Sequence, residues 1–309
     1  MRILALVPGG ISEQLLFFPT LASLKSQYPK AAIDVIVEPR SKSAYRVCPQ
    51  VQEVLTFDFR DRTGLADYLN LLGIIRDREY EASLSTDSRW STELLLWLNG
   101  IPLRVGYQTG ASWFLSQAVP YQPHQYTAHF YHDLVQGFGI NTPCPPLQIA
   151  VPKEDILWAE QEQQRLGLAN SRYIVIPAAP SYPTPLWLRI IADIQKRQSD
   201  LGIVLVSGPG DEAWVKAIQK EQVNLQVSRP GDVGKLAALI AGANLMLSTE
   251  GAPLYLAIAV GTYTIVLASN RQVGQRLPAQ LSQGVILTSP TGSLDQLSPD
   301  KILQQVWGN

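Results

Sequence analysis

The sequence predicts an α/β fold made of two Rossmann-like domains with parallel sheets facing an interdomain cleft, and three observations carry that prediction. Short apolar runs alternate with segments of helical spacing almost from end to end. The alternation pauses once, at 141–152, where Pro143, Pro145, Pro146 and Pro152 break any period. A chain of 309 residues, 46% of them hydrophobic, has enough apolar side chains for two ordinary cores. The expected domains are 1–150 and 151–309.

In the first half, residues 3–7 are a continuous apolar run that reads as a buried strand, followed by a Pro-Gly-Gly loop and a helix over 13–28. Strands follow at 33–37, rich in β-branched residues, and at 54–57, with a weaker candidate at 81–85. Helical spacing covers 65–76 and 91–98, the latter stopped by Asn99-Gly100-Ile101-Pro102. In the second half, a charged helix is expected over 154–166, strands at 173–176, 203–206, 244–247 and 264–267, and helices at 186–198, 212–221, 233–241 and 253–260. Ligands of open parallel sheets sit off the carboxyl ends of the strands, so the loops after Val7, Ile176, Val206 and Leu247 matter most.

Bulk properties narrow the function classes. A formal net charge of -1 gives no broad electrostatic footprint for nucleic acid, so no nucleic-acid partner is expected. Cys48 and Cys144 lie far apart without metal-ligand spacing, which argues against a disulfide framework and a structural zinc. The first ten residues read as a strand and turn, too short for a secretory signal. The uncharged span 251–270 is divided by Pro253, Gly261, Thr262 and Thr264 into a helix and a strand. The expected location is the cytoplasm, with room for peripheral contact at the inner face of the membrane. Arg40, Lys42 and Arg46 suit an anionic acceptor or a membrane surface, although a solvated charged face is the commoner explanation.

Four loops offer chemistry. Gly9 and Gly10 allow a tight turn or close approach to a ligand, with Glu13 near the start of the first helix. On position alone, Glu13 weighs equally as a catalytic carboxylate and as one stabilised by the helix N-terminus. The spacing is not a dinucleotide fingerprint, which leaves a dehydrogenase reading weak. The loop 177–185 is stiffened by four prolines and offers Ser181 and Thr184 as donors to phosphate oxygens, a structural turn being equally expected. Gly208 and Gly210 mark a sharp strand-to-helix turn with Asp211 and Glu212 in the first helical turn, more often structural than functional. The elbow Thr249-Glu250-Gly251-Ala252 joins an apolar strand to an alanine-rich helix that contains Tyr255 and closes on Gly261. Free N–H groups and the positive end of a helix dipole suit a phosphate there, and Glu250 is either a hydroxyl or proton handler or a helix-start residue. His124, His129 and His132 cluster among tyrosines, where surface or interdomain packing is favoured over a metal site.

Taken in order, these loops resemble glycosyltransferase family 9, the ADP-heptose:lipopolysaccharide heptosyltransferases. Residues 8–19 follow the family's P-G-A-L-G-D pattern and 49–54 its N-P-x-V-D-x-V; 206–212 resemble L-G-G-P-G-E-E and 249–255 the D-S-G-P-M-H elbow. The resemblance implies a GT-B fold and an inverting, metal-independent transfer of a heptose-like sugar to a lipopolysaccharide or other lipid-linked or glycan acceptor. It implies no cofactor; a nucleotide-diphosphate sugar is the substrate, an ADP-linked one in the family itself. Glu13 takes the place of the family's catalytic Asp. The donor side comprises Ser181, Thr184, Thr249, Glu250, Gly251, Ala252 and Tyr255. Thr184 or Pro185 stands where the family has a phosphate-contacting lysine, Tyr255 replaces a histidine, and both acidic positions are Glu. These differences keep a second reading open, a decayed scaffold that binds sugar nucleotides or a protein partner.

Overall fold

The computed structural model describes every residue except 62–63, 110–111, 170, 223–224, 270–272 and 309. Two compact units divide the chain at Met1–Ala150 and Val151–Asn309. No helix or strand forms over 141–152.

In the first unit, the order is β1 (Arg2–Val7), α1 (Ile11–Gln27), β2 (Ala32–Val37), a 3₁₀ helix over Pro39–Val47, β3 (Glu53–Thr56), α2 (Leu65–Arg76), β4 (Ala82–Ser85), α3 (Trp90–Leu98), β5 (Leu103–Tyr107), β6 (Gln117–Val119) and α4 (Thr127–His132). The strands lie in the order β3-β2-β1-β4-β5-β6, every pair parallel. Ala5 of β1 pairs with Val35 on one side and Leu84 on the other, which makes β1 an inner strand covered on both faces. That position explains its unbroken apolar run: Ile3 to Val7 are wholly buried.

The second unit opens with α5 (Lys153–Arg165) and continues β7 (Tyr173–Pro177), α6 (Thr184–Arg197), β8 (Gly202–Val206), α7 (Glu212–Glu221), β9 (Gln226–Ser228), α8 (Val233–Ala241), β10 (Leu245–Thr249), α9 (Ala252–Val260), β11 (Thr264–Ser269), β12 (Gly284–Ser289) and α10 (Pro299–Trp307). Its parallel sheet has the order β12-β11-β10-β7-β8-β9. Trp187 of α6 meets Trp214 of α7 edge-on at 6.4 Å between ring centroids, and Tyr182 packs on Trp187 at 5.3 Å. Truncating a buried aromatic of this kind costs about 3–5 kcal/mol.

Several boundaries differ from the sequence expectation. α1 starts at Ile11, not 13, because Gly10 is its N-cap. β10 runs on to Thr249, and α6 opens at Thr184, which therefore belongs to a first helical turn and not to a free loop. Neither β5, β6, β9, β12, α4 nor α10 was expected from the apolar pattern.

α3 buries Glu93 along with Thr92, Leu95 and Leu96. Glu93 is 1% exposed, and neither carboxylate oxygen has a hydrogen-bond partner. Burial, reinforced by the neighbouring Asp87 charge, pushes its pKa up to about 7. The folded chain thus keeps a proton that an unfolded glutamate releases at much lower pH. Stability is full below the unfolded pKa and falls as pH rises through the folded one. Glu93→Gln should therefore be more stable than the wild type at pH 8, by up to about 3 kcal/mol, and the difference should vanish near pH 4. Urea unfolding at the two pH values checks this; the same difference at both would contradict the buried-proton account.

Candidate functional site

At the carboxyl end of β1, Gly9 adopts φ +122°, a conformation reserved largely for glycine. A Cβ there would lie 2.8 Å from Cγ of Glu13, so close approach also demands glycine. The Gly10 N–H donates to Glu13 Oε2 at 2.9 Å, so the carboxylate of Glu13, at N3, caps the backbone at the start of α1. Three further bonds hold the loop. Gln14 Nε2 donates to the Val7 carbonyl at 2.9 Å, Tyr45 Oη donates to Gln14 Oε1 at 2.7 Å, and Ser41 Oγ donates to the Gly9 carbonyl at 2.5 Å. Glu13 is half-buried in this frame. The helix-start geometry read from its position is present, and it holds one carboxylate oxygen in place.

The neighbouring strand ends add an ionic cluster of which sequence reasoning singled out only Arg40. Glu38, after β2, is buried, and burial followed by the Asp58 charge raises its pKa, while Arg40, Arg60 and Arg89 oppose the rise. Arg89 also donates to Asp87 Oδ2 at 2.6 Å and to the Phe59 carbonyl at 3.2 Å. Arg40, Lys42 and Arg46 lie exposed on the 3₁₀ helix that follows β2. No spacing motif links these groups; the parallel sheet brings the carboxyl ends of β2, β3 and β4 to the same edge.

In the second unit, the loop after β7 is rigid because of its aromatic anchors as well as its prolines. Tyr182 Oη donates to the Leu297 carbonyl at 2.8 Å, and Trp187 Nε1 donates to the Ala179 carbonyl at 3.2 Å. Ser181 stands exposed on this loop, and Thr184 is half-buried at the start of α6. In the turn after β8, the Gly208 N–H donates to Asp211 Oδ2 at 2.9 Å, and Gly210 adopts φ +91°. Both glycines have a structural use there.

The elbow after β10 holds the densest polar contacts. Gly251 caps α9, whose first residue is Ala252, and Gly261 closes the helix in the left-handed conformation. Tyr255 is fully buried except for what its hydroxyl reaches: Glu250 Oε1 at 2.9 Å and the Arg276 carbonyl at 2.7 Å, acceptors that share one proton. Arg276 Nη2 lies 3.4 Å from Glu250 Oε1. Glu250 is thus tied to a cation and a phenol, and the Arg276 segment is fastened to the elbow through Tyr255. Arg276 was missed from sequence because it stands alone, outside any motif, in the segment after β11.

The three histidines do not meet at one centre. His132 is buried with Nε2 2.8 Å from Ser23 Oγ, and burial lowers its pKa. His129 packs edge-on against Tyr126, and His124 is exposed. His129 and His132 line a cavity of about 510 Å³ with Asp133 and Cys144. Among the described residues, no group of three or more His, Cys, Asp or Glu could hold a metal ion.

Two Rossmann-like units with loop chemistry at their carboxyl edges define the class: this is a GT-B protein. Residues 69–304 match the profile of glycosyltransferase family 9 (heptosyltransferase), and the chain belongs to that family. The matched span begins beyond Glu13. Among curated relatives, the photosynthetic NDH subunit of subcomplex B 1 of Arabidopsis thaliana chloroplasts is 24% identical, over 95% of this chain and 70% of that protein. Lipopolysaccharide heptosyltransferase 3 of Escherichia coli is 23% identical, over 82% and 79%. Among solved structures, the family 9 glycosyltransferase of Veillonella parvula superposes with a TM-score of 0.86 at 16% identity, over 99% of this chain and 96% of that one. E. coli heptosyltransferase WaaC with ADP-2-deoxy-2-fluoro heptose superposes with a TM-score of 0.78 at 18% identity, over the whole of both chains.

Gly9→Ala should destabilise the chain by roughly 1–3 kcal/mol through its forbidden φ and the collision with Glu13. Denaturant unfolding measures the cost; a loss much below that range would show that the loop relaxes freely.

Proposed function

We propose that the protein is an inverting glycosyltransferase that moves a heptose-like sugar from a nucleotide diphosphate to a lipopolysaccharide or other cell-envelope glycan acceptor. The family membership supports sugar transfer, and the Glu250–Tyr255–Arg276 elbow is the observation that carries the donor assignment. In this reading, the second unit binds the donor. The N-terminal N–H groups of α9 and the Arg276 guanidinium face the departing diphosphate, whose negative charge grows as the glycosidic bond breaks. Arg276 supplies the positive charge that Thr184 and Pro185 do not. Ser181 and Thr184 are further donors to phosphate oxygens, and Glu250 with Thr249 handles the sugar hydroxyls. The positive charge of Arg276 and α9 lets departure proceed without a metal ion.

The first unit acts on the acceptor. Glu13 takes the proton of the acceptor hydroxyl as that oxygen forms its bond to the anomeric carbon, and the proton stays on the carboxylate while the nucleotide diphosphate leaves with the bonding pair. The bond from the Gly10 N–H aims the carboxylate: one oxygen is engaged by the backbone. The arginines around Glu38 and Asp58, with Lys42 and Arg46, suit an anionic acceptor. ADP is the first nucleotide to test, since E. coli WaaC was solved with ADP-2-deoxy-2-fluoro heptose.

The test has two stages. Thermal shift with ADP, UDP, GDP and their sugar conjugates identifies the donor; saturation at a hundredfold excess over Kd stabilises a protein by about 2.7 kcal/mol. With that donor, Glu13→Gln should lower kcat by about 10²–10⁴-fold while leaving donor binding intact. Transfer by Glu13→Gln at near wild-type rate removes Glu13 as the base. Absence of binding by every nucleotide points instead to a decayed scaffold that serves a protein partner.

A further inference from the structure

Toward the far end of α1 lies a polar cavity that the transfer chemistry leaves unused. Its volume is about 510 Å³, and its lining includes Gln125, His129, His132, Asp133, Gln136 and Asn141. A second depression of about 370 Å³ adjoins it, sharing Ile140, Thr142 and Pro143 and reaching Ser23 and Ser26 of α1. Ser23 stands ten residues beyond Glu13 on the same helix, about 15 Å along its axis. The cavity is thus separate from the loop that presents Glu13.

Its walls are held in place by the protein alone. His132 Nε2 lies 2.8 Å from Oγ of the buried Ser23, which fixes the imidazole ring. Asp133 holds two planar amides: Gln125 Nε2 donates to Oδ2 at 2.5 Å and Gln136 Nε2 to Oδ1 at 3.3 Å. His129 packs edge-on against Tyr126 at 5.3 Å between ring centroids. The Ile140 N–H donates to the Val135 carbonyl at 3.2 Å, and Cys144 Sγ donates to the Ala128 carbonyl at 3.7 Å. These bonds tie the proline-stiffened segment 140–144 to α4 and the 3₁₀ turn after it.

Charge and hydrogen-bonding capacity select the ligand. Among the described lining residues there is no Lys or Arg, and Asp133 carries the one carboxylate. Burial lowers the pKa of His132, which is therefore a neutral imidazole at neutral pH. A phosphate or carboxylate would face Asp133 with no fixed cation to offset the repulsion. Hydroxyls suit the site better. Each oxygen of Asp133 keeps a lone pair after receiving its amide, the carbonyls of Gln125 and Gln136 can accept, and Asn141 can both donate and accept. Val135 and Ile140 add apolar surface for ring C–H groups.

We propose that this cavity binds an uncharged saccharide, as a second sugar site apart from the transfer centre. The adjoining depression gives a linked sugar residue a place to continue. The inference stands apart from the transferase reading, because sugar binding here needs neither a nucleotide nor Glu13.

Heteronuclear NMR of the full chain, titrated with mannose, glucose, N-acetylglucosamine and linear trisaccharides of each, tests it. At least one sugar should shift the backbone amide signals over 125–144 and leave the Glu13 loop and the elbow unmoved, with or without ADP. A trisaccharide that binds more tightly than its monosaccharide supports a glycan chain as the ligand; equal affinity supports a single sugar. Gln136→Ala and Asn141→Ala, at exposed positions, should each weaken binding roughly twofold to tenfold, as expected for one lost hydrogen bond, with the melting temperature unchanged. If either variant folds poorly, Thr142→Trp carries the test, adding bulk at an exposed rim position and abolishing binding. The proposal is overturned if no sugar shifts the amides over 125–144, if the shifts are confined to the Glu13 loop and the elbow, or if the variants bind as the wild type does. Preference for glucosamine or for a sugar 6-phosphate over every uncharged sugar overturns it as well, because a charged group would then be what the cavity selects.

Discussion

Parallel hydrogen bonding between β1 and its neighbours β2 and β4, repeated between β10 and its neighbours β7 and β11, fixes which side chains can act together. In a parallel sheet every strand ends on the same edge, so the loops that follow accumulate there whatever their separation in sequence. Gly9, Glu38, Asp58 and Asp87 are gathered in this way in the first unit. Ser181, Gly208 and Glu250 are gathered likewise in the second. β1, wholly buried from Ile3 to Val7, gives the first loop a stiff base, and Gln14, Ser41 and Tyr45 complete it. A carboxylate meant to take a proton from a defined hydroxyl benefits from such a frame, because small misplacements of catalytic groups are costly.

The two carboxylates, Glu13 and Glu250, are held differently. Glu13 is bonded to backbone three residues earlier, a local contact that any sequence with this helix start would make. Glu250 is held by a phenol from the α9 that follows it and, from farther along the chain, by a guanidinium of the segment after β11. The Tyr255 hydroxyl also fastens the Arg276 segment to the elbow.

Much of this was legible in advance, for physical reasons that vary by element. Inner strands such as β1, β2 and β10 are buried on both faces and show as apolar runs, and α2, α7 and α8 have the extents that their periodicity predicts. β6 and β9 have three residues each and lie at sheet edges, as β12 does, where no long apolar run is required. β5 is interrupted by Arg104 and Gly106. α10 carried an overlooked start signal, Ser298 followed by Pro299, and Ser298 does cap it. At the site, Gly9, Gly10 and the α9 elbow were visible because glycine and helix-start residues mark turns. Arg276, Glu38 and Arg89 were not, because tertiary structure alone brings them to their partners.

The central claim is that the elbow of the second unit is a nucleotide-diphosphate site. Hydrogen exchange of the full chain, with and without saturating ADP, tests it most directly. The account predicts slowed exchange of the amides over 250–256, at the elbow and the start of α9, and over the Arg276 segment. ADP that slows exchange elsewhere, as around the His129–His132 cavity, and leaves the elbow amides unchanged would contradict it.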